Sequence, residues 1–345
     1  MNTGNNIKIK ECKEVEKWEE DLGNFRFSLF QCKEWIEALT IGTNHIPVFF
    51  DLYSNETKAG KISGIIHKTK YFGKQIYFFS GPALKNYNYA LYSEFIDSLI
   101  SYFKAKGVSR IVFGSYGSQY APEIKHPLCY SFKRKEFIVD LTNDISKRFS
   151  RNIRRNITKA RSAGFKIKTD RTNIKVLKQL LDATQRFRIK HNREQYDPLP
   201  LPLLNYNSLE KLSDTDLTKN YIAISDGHTT GFLLTLVKYP YSEALVTGID
   251  EQFYKTGISP FMYEYAFEEL KSNGFISMNL GGVPEGEDGK KLSHFKRSLG
   301  AEEKVVYGAT TNFLIYPYKV LNPILNLARK MPQNSSIIKF LKKFI

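Results

Sequence analysis

Apolar and polar positions along this chain alternate in some stretches and recur every three or four residues in others, predicting strands and helices in mixed order. Glu11 to Glu20 reads as a helix, and Gln31 to Leu39 as another, with Trp35 and Leu39 four apart on one face. IPVFFDLY, KISGIIHKTKYF and QIYFFSGP follow as strands, the first two separated by a polar turn from Asn55 to Gly60. Ser80-Gly81-Pro82 ends the third, because proline cannot extend a ladder and restricts the residue before it. From Tyr89 to Lys106, Leu91, Phe95, Leu99 and Phe103 recur every four residues, and Gly107 is placed to cap the helix. RIVFGS then predicts a buried strand, so a strand–helix–strand crossover is expected.

Cys129 to Leu141 reads as a strand leading out of this half, which puts a domain boundary near Lys133. The pattern predicts a helix from Asn143 to Ala163, capped by Asn143, ended by Gly164, with Phe149, Ile153 and Ile157 inward. FKIKT is a strand, and Asn173 to Lys190 a helix that turns Leu177, Leu180, Leu181, Thr184 and Phe187 inward. The prolines from Asp197 to Pro202 demand a loop. IAISDGHTTGFLLTLV is a hairpin turning at Asp226-Gly227. Gly257-Ile258-Ser259-Pro260 opens a helix carrying Phe261, Tyr265, Phe267 and Leu270, FISMNLGG is a further strand, and Lys290 to Leu299 a further helix.

A length of 345 residues suggests about two domains. The expected fold class is α/β (α+β), each domain a mixed twisted sheet flanked by helices. The division is 1–132, 133–309 and a tail over 310–345. Cys12, Cys32 and Cys129 are too few and too scattered for a disulfide framework or a metal knuckle. No apolar run approaches 18 residues and the amino terminus has no secretory pattern, so a cytoplasmic location is expected.

Charge changes the picture. Fifty-one basic residues against 35 acidic ones leave +16, and the excess is concentrated in blocks. Ile145 to Thr169 holds nine Lys and Arg without an acid; Lys304 to Ile345 holds seven, again without one. Arg148, Arg151, Arg155 and Lys159 would form a cationic ridge on their helix. Like charges at that spacing repel, and a polyanion partner would offset the repulsion. Arg186, Arg188 and His191 crowd the end of the next helix, where cations are also favoured by the helix dipole.

No Ser-His-Asp elbow, Walker loop, dinucleotide fingerprint, paired-carboxylate site or zinc site is legible. A helix opening on Gly257, Ile258 and Ser259 offers unpaired N–H groups to an anion. Acyl transfer from an activated ester to an amine requires deprotonation, oxyanion stabilisation and positioning, none of which demands a protein nucleophile.

The order strand–hairpin–"GIS"–helix–strand–"LGG"–"FKRSLG", together with VDLTNDISKRFSRNIRRNITKARSAGFKIK upstream, resembles the FemA/FemB/FemX-like proteins, a branch of the GNAT acyltransferases. The resemblance runs from Phe30-Gln31 to Gly300. It implies two tandem GNAT-like domains and transfer of an acyl or aminoacyl group to an amine on a cell-envelope glycan, amino sugar or peptidoglycan-type precursor, free or lipid-linked. It implies a donor cradle of Tyr254, Lys255, Gly257, Ile258 and Ser259, a candidate acceptor gate in the proline-rich loop from Asp197 to Pro202, and no permanently bound cofactor or metal. Tyr254 stands where the acyl-CoA loop has Gln or Arg, which leaves the donor open between acyl-CoA and aminoacyl-tRNA. Lys296 is the residue the "FK…G" segment links with the transferring carbonyl or acceptor phosphates, with Arg297 behind it. Tyr241, Glu243 and Asp250 are the candidates for a base. Arg151, Arg155, Arg186, Arg188, His191, Gly281 and Gly282 are the candidates for substrate contact, with the Gly281–Gly289 loop near the acceptor amine. The alternative is a non-catalytic tRNA- or envelope-binding protein on the same fold.

Beyond Ala309 the pattern changes. Val320, Leu321, Ile324, Leu325 and Leu327, then Ile337, Ile338, Phe340, Leu341 and Phe344, lie among lysines, and Pro323 and Pro332 break the run. The pieces are too short to span a bilayer but suit its interface, so the inner face of the cytoplasmic membrane is one expectation. A strap packed on the first domain is the other.

Overall fold

The computed structural model describes residues 6–171, 173–191, 198–199 and 201–330. The chain forms two compact α/β units. One is built from the chain up to Arg134 and the described residues from Val306 onward, the other from Lys135–Val305.

In the first unit the order is β1 (Ile7–Glu11), α1 (Val15–Leu22), α2 (Lys33–Ala38), β2 (Ile46–Ser54), β3 (Thr57–Thr69), β4 (Gly73–Phe78), β5 (Ala83–Leu84), α3 (Tyr89–Ala105) and β6 (Arg110–Phe113). β1 to β4 form an antiparallel meander, and β4 pairs in parallel with β6 across α3, the expected crossover. Asn88 caps α3, its Oδ1 accepting from the Leu91 N–H at 3.1 Å. Phe95, Leu99 and Phe103 of α3 pack with Phe50, Ile62, Ile76 and Ile111 of the sheet. Each such side chain contributes roughly 1.5–3 kcal/mol when fully buried.

Two sequence expectations are corrected here. Glu11, read as the start of a helix, instead ends an edge strand, Ile7–Glu11, whose outward lysines hide its alternation, and the helix begins at Val15. The turn after β2 is only Asn55-Glu56, both at positive φ (48° and 64°), so β3 begins at Thr57.

The second unit takes in β7 (Cys129–Asp140) from Lys135, then α4 (Arg151–Ser162), β8 (Lys166–Thr169), α5 (Ile174–Lys190), α6 (Tyr206–Ser213), β9 (Thr218–Ser225), β10 (His228–Lys238), β11 (Tyr241–Ile249), α7 (Ile258–Ser272), β12 (Ser277–Gly282) and α8 (Glu287–Ser298). The start of β13 (Glu302–Thr311) follows; the rest of β13 returns to the first unit and pairs with β6, and α9 (Asn322–Lys330) lies beyond it. Strand order within the second unit is β7-β12-β11-β10-β9-β8, antiparallel except for β11 and β12. Asp226 (φ 50°) and Gly227 (φ 78°) make the turn between β9 and β10, as "DG" predicts.

The helix expected from Asn143 begins later. Asp144 instead caps a 3-10 turn at Ile145–Arg148, and Phe149 takes an extended conformation (ψ 133°) that drops its ring into the core. Ser150 then caps α4, its Oγ accepting from the Ile153 N–H at 3.3 Å, while its own N–H donates to the Ser298 carbonyl at 3.0 Å. Phe149, Ile153 and Ile157 face inward as expected.

β11 and β12 form the parallel pair of this unit. β11 and β12 are in register only from Tyr241↔Ser277 to Glu243↔Asn279. Beyond that point β11 continues to Ile249 and β12 to Gly282 without laddering to each other, so backbone groups at the carboxyl ends need other partners.

Candidate active site

A cavity of about 250 Å³ lies where α4, α7 and α8 converge. α4 contributes Asn152, Ile153 and Asn156. The segment opening α7 contributes Tyr254, Lys255, Gly257, Ser259 and Pro260, and α8 contributes His294, Phe295 and Ser298. No carboxylate lines it among the described residues, whereas an ammonium, an imidazole, two amides and two serine hydroxyls do. Gly257 is the N-cap of α7, so no side chain caps the helix, and the first turn carries no acid. Its unfilled N–H groups and positive dipole end border the cavity, an arrangement suited to an anion.

The cradle read from sequence is thus largely assembled. Tyr254, Lys255, Gly257 and Ser259 line the cavity, while Ile258 is buried beneath it. Tyr254 stacks on Phe187 of α5 with centroids 3.8 Å apart, and His191 stacks on the same Phe187 ring at 4.1 Å. The position where the acyl-CoA loop has Gln or Arg is therefore used here for aromatic packing. Lys159 of α4 donates to the Lys255 carbonyl at 2.8 Å and ties the cradle to the cationic helix.

The expected ridge does not lie on one helix, since Arg148 ends the 3-10 turn and only Arg151, Arg155 and Lys159 are on α4. Arg148 pairs with Glu302 (3.3 Å) and Asp140 (3.7 Å), and Arg161 with Glu264 (2.7 Å). Arg151, Arg154 and Arg155 are exposed and have no carboxylate partner among the described residues; Arg155 bonds the amide oxygen of Asn152 at 3.2 Å. Burial raises the Glu264 carboxyl, and the Arg161 charge opposes that rise.

Other sequence candidates have different surroundings. Lys296 does not line the cavity. It is buried, and its Nζ donates to the carbonyls of Leu280 (2.5 Å), Gly281 (2.9 Å) and Gly282 (2.6 Å). Those are β12 carbonyls beyond its pairing with β11, beside a bulge in its register with β7. Lys296, Gly281 and Gly282 are thus brought together as one structural clasp. Arg297 pairs with Glu303 and lies 5.8 Å from the Phe137 ring centre. Arg188 is held by Asp288 at 2.6 Å with both side chains largely covered, so α5 and α8 are pinned together and Asp288 has an ion-pair partner. Arg186 is exposed at the outer side of α5, and the ring of His191 is 2.8 Å from the Phe187 carbonyl.

Tyr241 opens β11 and Asp250 follows its last residue, about 30 Å away at ordinary strand rise. Asp250 accepts from the Gln252 N–H at 3.2 Å and caps the turn leading to Tyr254. In the proposed gate, Leu199 is buried, while Asp197 and Pro200 lie outside the described residues.

Sequence reading missed Asn152, Asn156, His294 and Ser298. Each helix presents a polar pair at i, i+4, which is the signal that could have found them.

No protein-family model matches the sequence, and no curated protein matches it significantly. Solved structures do match its fold. The structure is similar to FemX over 93% of this chain and 99% of FemX, with a TM-score of 0.66 at 12% identity. L-PGS from Bacillus licheniformis matches with a TM-score of 0.55 at 17% identity, over 87% of this chain and 92% of that one. The C-terminal (DUF2156) domain of a candidate lysylphosphatidylglycerol synthetase from Agrobacterium fabrum matches with 0.51 at 14%, over 90% and 96%. The mixed α/β fold is therefore the FemX-like one across nearly the whole chain.

Proposed function

We propose that this protein transfers an aminoacyl or acyl group from an activated donor to an amine on a cell-envelope precursor, with aminoacyl-tRNA the favoured donor. The carrying observation is a cavity at the uncapped start of α7 that no carboxylate lines among the described residues, beside three arginines on α4 that have no acidic partner among them. Phosphate groups supply sequence-independent affinity through such cations, and a row of three exceeds what one diphosphate needs. The FemX-like fold and the name of the Agrobacterium protein, which joins an amino acid to a lipid headgroup, support the same class of reaction and a lipid-linked acceptor at the cytoplasmic membrane face.

In this reading the α7 N–H groups and Lys255 hold donor phosphate, and the α4 arginines hold the flanking nucleic-acid backbone. The acceptor amine loses a proton, attacks the donor carbonyl, and the tetrahedral oxyanion collapses with loss of the tRNA 3′ oxygen as a hydroxyl. His294 supplies a cavity-lining nitrogen able to take up the amine proton. Lys296 acts on the site indirectly, by fixing the carboxyl end of β12.

Acyl-CoA is the second reading, supported by the Gly257–Ser259 opening of α7, which resembles an acyl-CoA loop. Filter retention of bulk tRNA charged with labelled amino acids, set beside retention of labelled acetyl- and palmitoyl-CoA, tests both. Retention of charged tRNA, followed by transfer of label to a lipid or glycan fraction of a cell extract, is the expected result. Retention of only acyl-CoA moves the donor to the second reading. Saturable binding without transfer to any amine makes the protein a binder, and retention of neither removes the cradle.

A further inference from the structure

We infer that the first unit carries a docking surface for an anionic lipid bilayer, formed jointly by the β3–β4 hairpin tip and the segment leading into α9. This surface stands independently of the transfer reaction. Val320, Ile324 and Leu327 are 63%, 57% and 64% exposed and recur at helical spacing, so they share one outward face. Tyr316 just before them is 72% exposed, and Tyr71 at the hairpin tip 54%. Leu325 is turned inward and buried.

The two segments are locked together, which makes this a built surface. Phe72 of the hairpin packs on Phe313 with centroids 5.3 Å apart, and Phe313 in turn meets Tyr318 at 6.1 Å. Gly73 lies so close that an added Cβ would stand 2.8 Å from the Tyr318 ring. Asn322 clamps Phe313 by both backbone groups, at 2.8 and 3.0 Å. Arg329 reaches Asn312 Oδ1 at 2.6 Å and lies 5.0 Å from the centre of the Tyr130 ring. The exposed face is therefore fixed outward by bonds on its inner side.

Charge selects the occupant. No acidic residue occurs from Thr57 to Ser93 or from Lys304 to Lys330, the stretches that contain the hairpin tip and the segment into α9. Lys68, Lys70, Lys74 and Lys319 are exposed in them, Lys70 against Tyr71 and Lys319 against Tyr316 at 5.2 and 5.7 Å from the ring centres. Apolar side chains beside aromatic rings and lysines, with no carboxylate, match the apolar boundary and negative headgroups of a lipid surface. No described helix is long and apolar enough to cross a membrane, so the contact is interfacial.

Co-sedimentation of the full chain with vesicles tests this. Binding to phosphatidylglycerol-containing vesicles at low salt, partial release at high salt and weak binding to pure phosphatidylcholine are expected. Ile324→Asp with Leu327→Asp should lower the partition at least tenfold with an unchanged melting curve, and Lys70→Gln with Lys74→Gln and Lys319→Gln should lower it and flatten the salt dependence. Equal binding by the aspartate variant would move any lipid contact elsewhere and overturn the assignment. No vesicle binding by the full chain would also overturn it. If sedimentation equilibrium then shows a dimer that the aspartate variant dissociates, a second copy is the occupant. A monomer instead leaves the face to residues 331–345.

Discussion

Gly257 lies against the main chain of Asn156 so closely that a β-carbon added to it would stand 2.1 Å from the Asn156 carbonyl oxygen. Its φ of +90° also lies where side chains are disfavoured. Glycine at this point is thus what lets α4, with its arginines, dock on the start of α7. Gly257→Ala is expected to destabilise the protein by about 3 kcal/mol, combining backbone strain with overpacking. Urea unfolding checks this; a loss under about 1 kcal/mol would mean that α4 yields easily and the close approach is unimportant.

Ser259 separates binding from stability. It occupies the second helical position of α7 and lines the cavity. Ser259→Asp puts a negative charge at a helix start, which stabilises a helix by roughly 0.3–1 kcal/mol. The same carboxylate would occupy the proposed anion position. A melting temperature equal to or above wild type, with affinity for tRNA or acyl-CoA at least tenfold weaker, is expected. Unchanged affinity would mean that neither donor is held at the α7 terminus.

Lys296 is expected to behave as a structural residue first. Lys296→Met keeps most of the stem but leaves the Leu280, Gly281 and Gly282 carbonyls without their shared donor. Unmet buried acceptors cost about 1–3 kcal/mol each, and water entry recovers part of that, so a net loss of about 2–4 kcal/mol is expected. Thermal unfolding of the variant measures it. A wild-type melting curve with abolished transfer would return Lys296 to direct chemistry.

Much of the fold was legible because local patterns and tertiary burial agree. Asn173 caps α5 as its position suggests, accepting from the Lys175 and Val176 N–H groups, and the five residues read as inward are buried. The Asn143 start failed because Asp144 and Ser150 are both good caps, and only burial of Phe149 decides between them. The site was half legible. Glycine and serine at a helix start offer unpaired N–H groups to an anion, and that part of the candidate site is visible in the local sequence alone. The meaning of Lys296 depends on where β11 and β12 part, which no local pattern records. Asn152, Asn156, His294 and Ser298 share a wall only after α4 and α8 meet, confirmed by the Ser150–Ser298 backbone bond.

The arginines that have no acidic partner among the described residues make a quantitative prediction. If Arg151, Arg154 and Arg155 contact nucleic-acid phosphates, replacing all three by Gln should weaken tRNA binding and reduce the salt dependence. Each phosphate contact contributes roughly 0.7–0.9 to the log–log slope, so three lost contacts reduce it by about 2–3. Binding isotherms from 50 to 200 mM salt, as approximate limits, give the slope. An unaltered slope would show that tRNA, if it binds, lies elsewhere.

The last prediction concerns acid. Lys61 is fully buried in the first unit, with its Nζ donating to the Trp18 carbonyl at 3.0 Å and meeting Asp51 at 3.1 Å and Asp21 at 3.3 Å. Burial alone would raise the Asp21 carboxyl. Hydrogen bonds from Lys58 (2.8 Å) and Asn24 (2.9 Å) and the charge of Lys61 outweigh it and bring its pKa down to about 2. An unfolded aspartate titrates near 3.9, so between about pH 4 and pH 2 the unfolded chain binds more protons at this site than the folded one. Stability from Asp21 is therefore fully present above about pH 4 and is lost as pH falls through about 2. Asp21→Asn should be less stable at neutral pH and should lose less stability than wild type between pH 4 and 2. Unfolding midpoints for both proteins across that interval provide the measurement. Parallel curves would show that Asp21 gains no stability from its lysines and that Asp51 alone compensates the buried charge of Lys61.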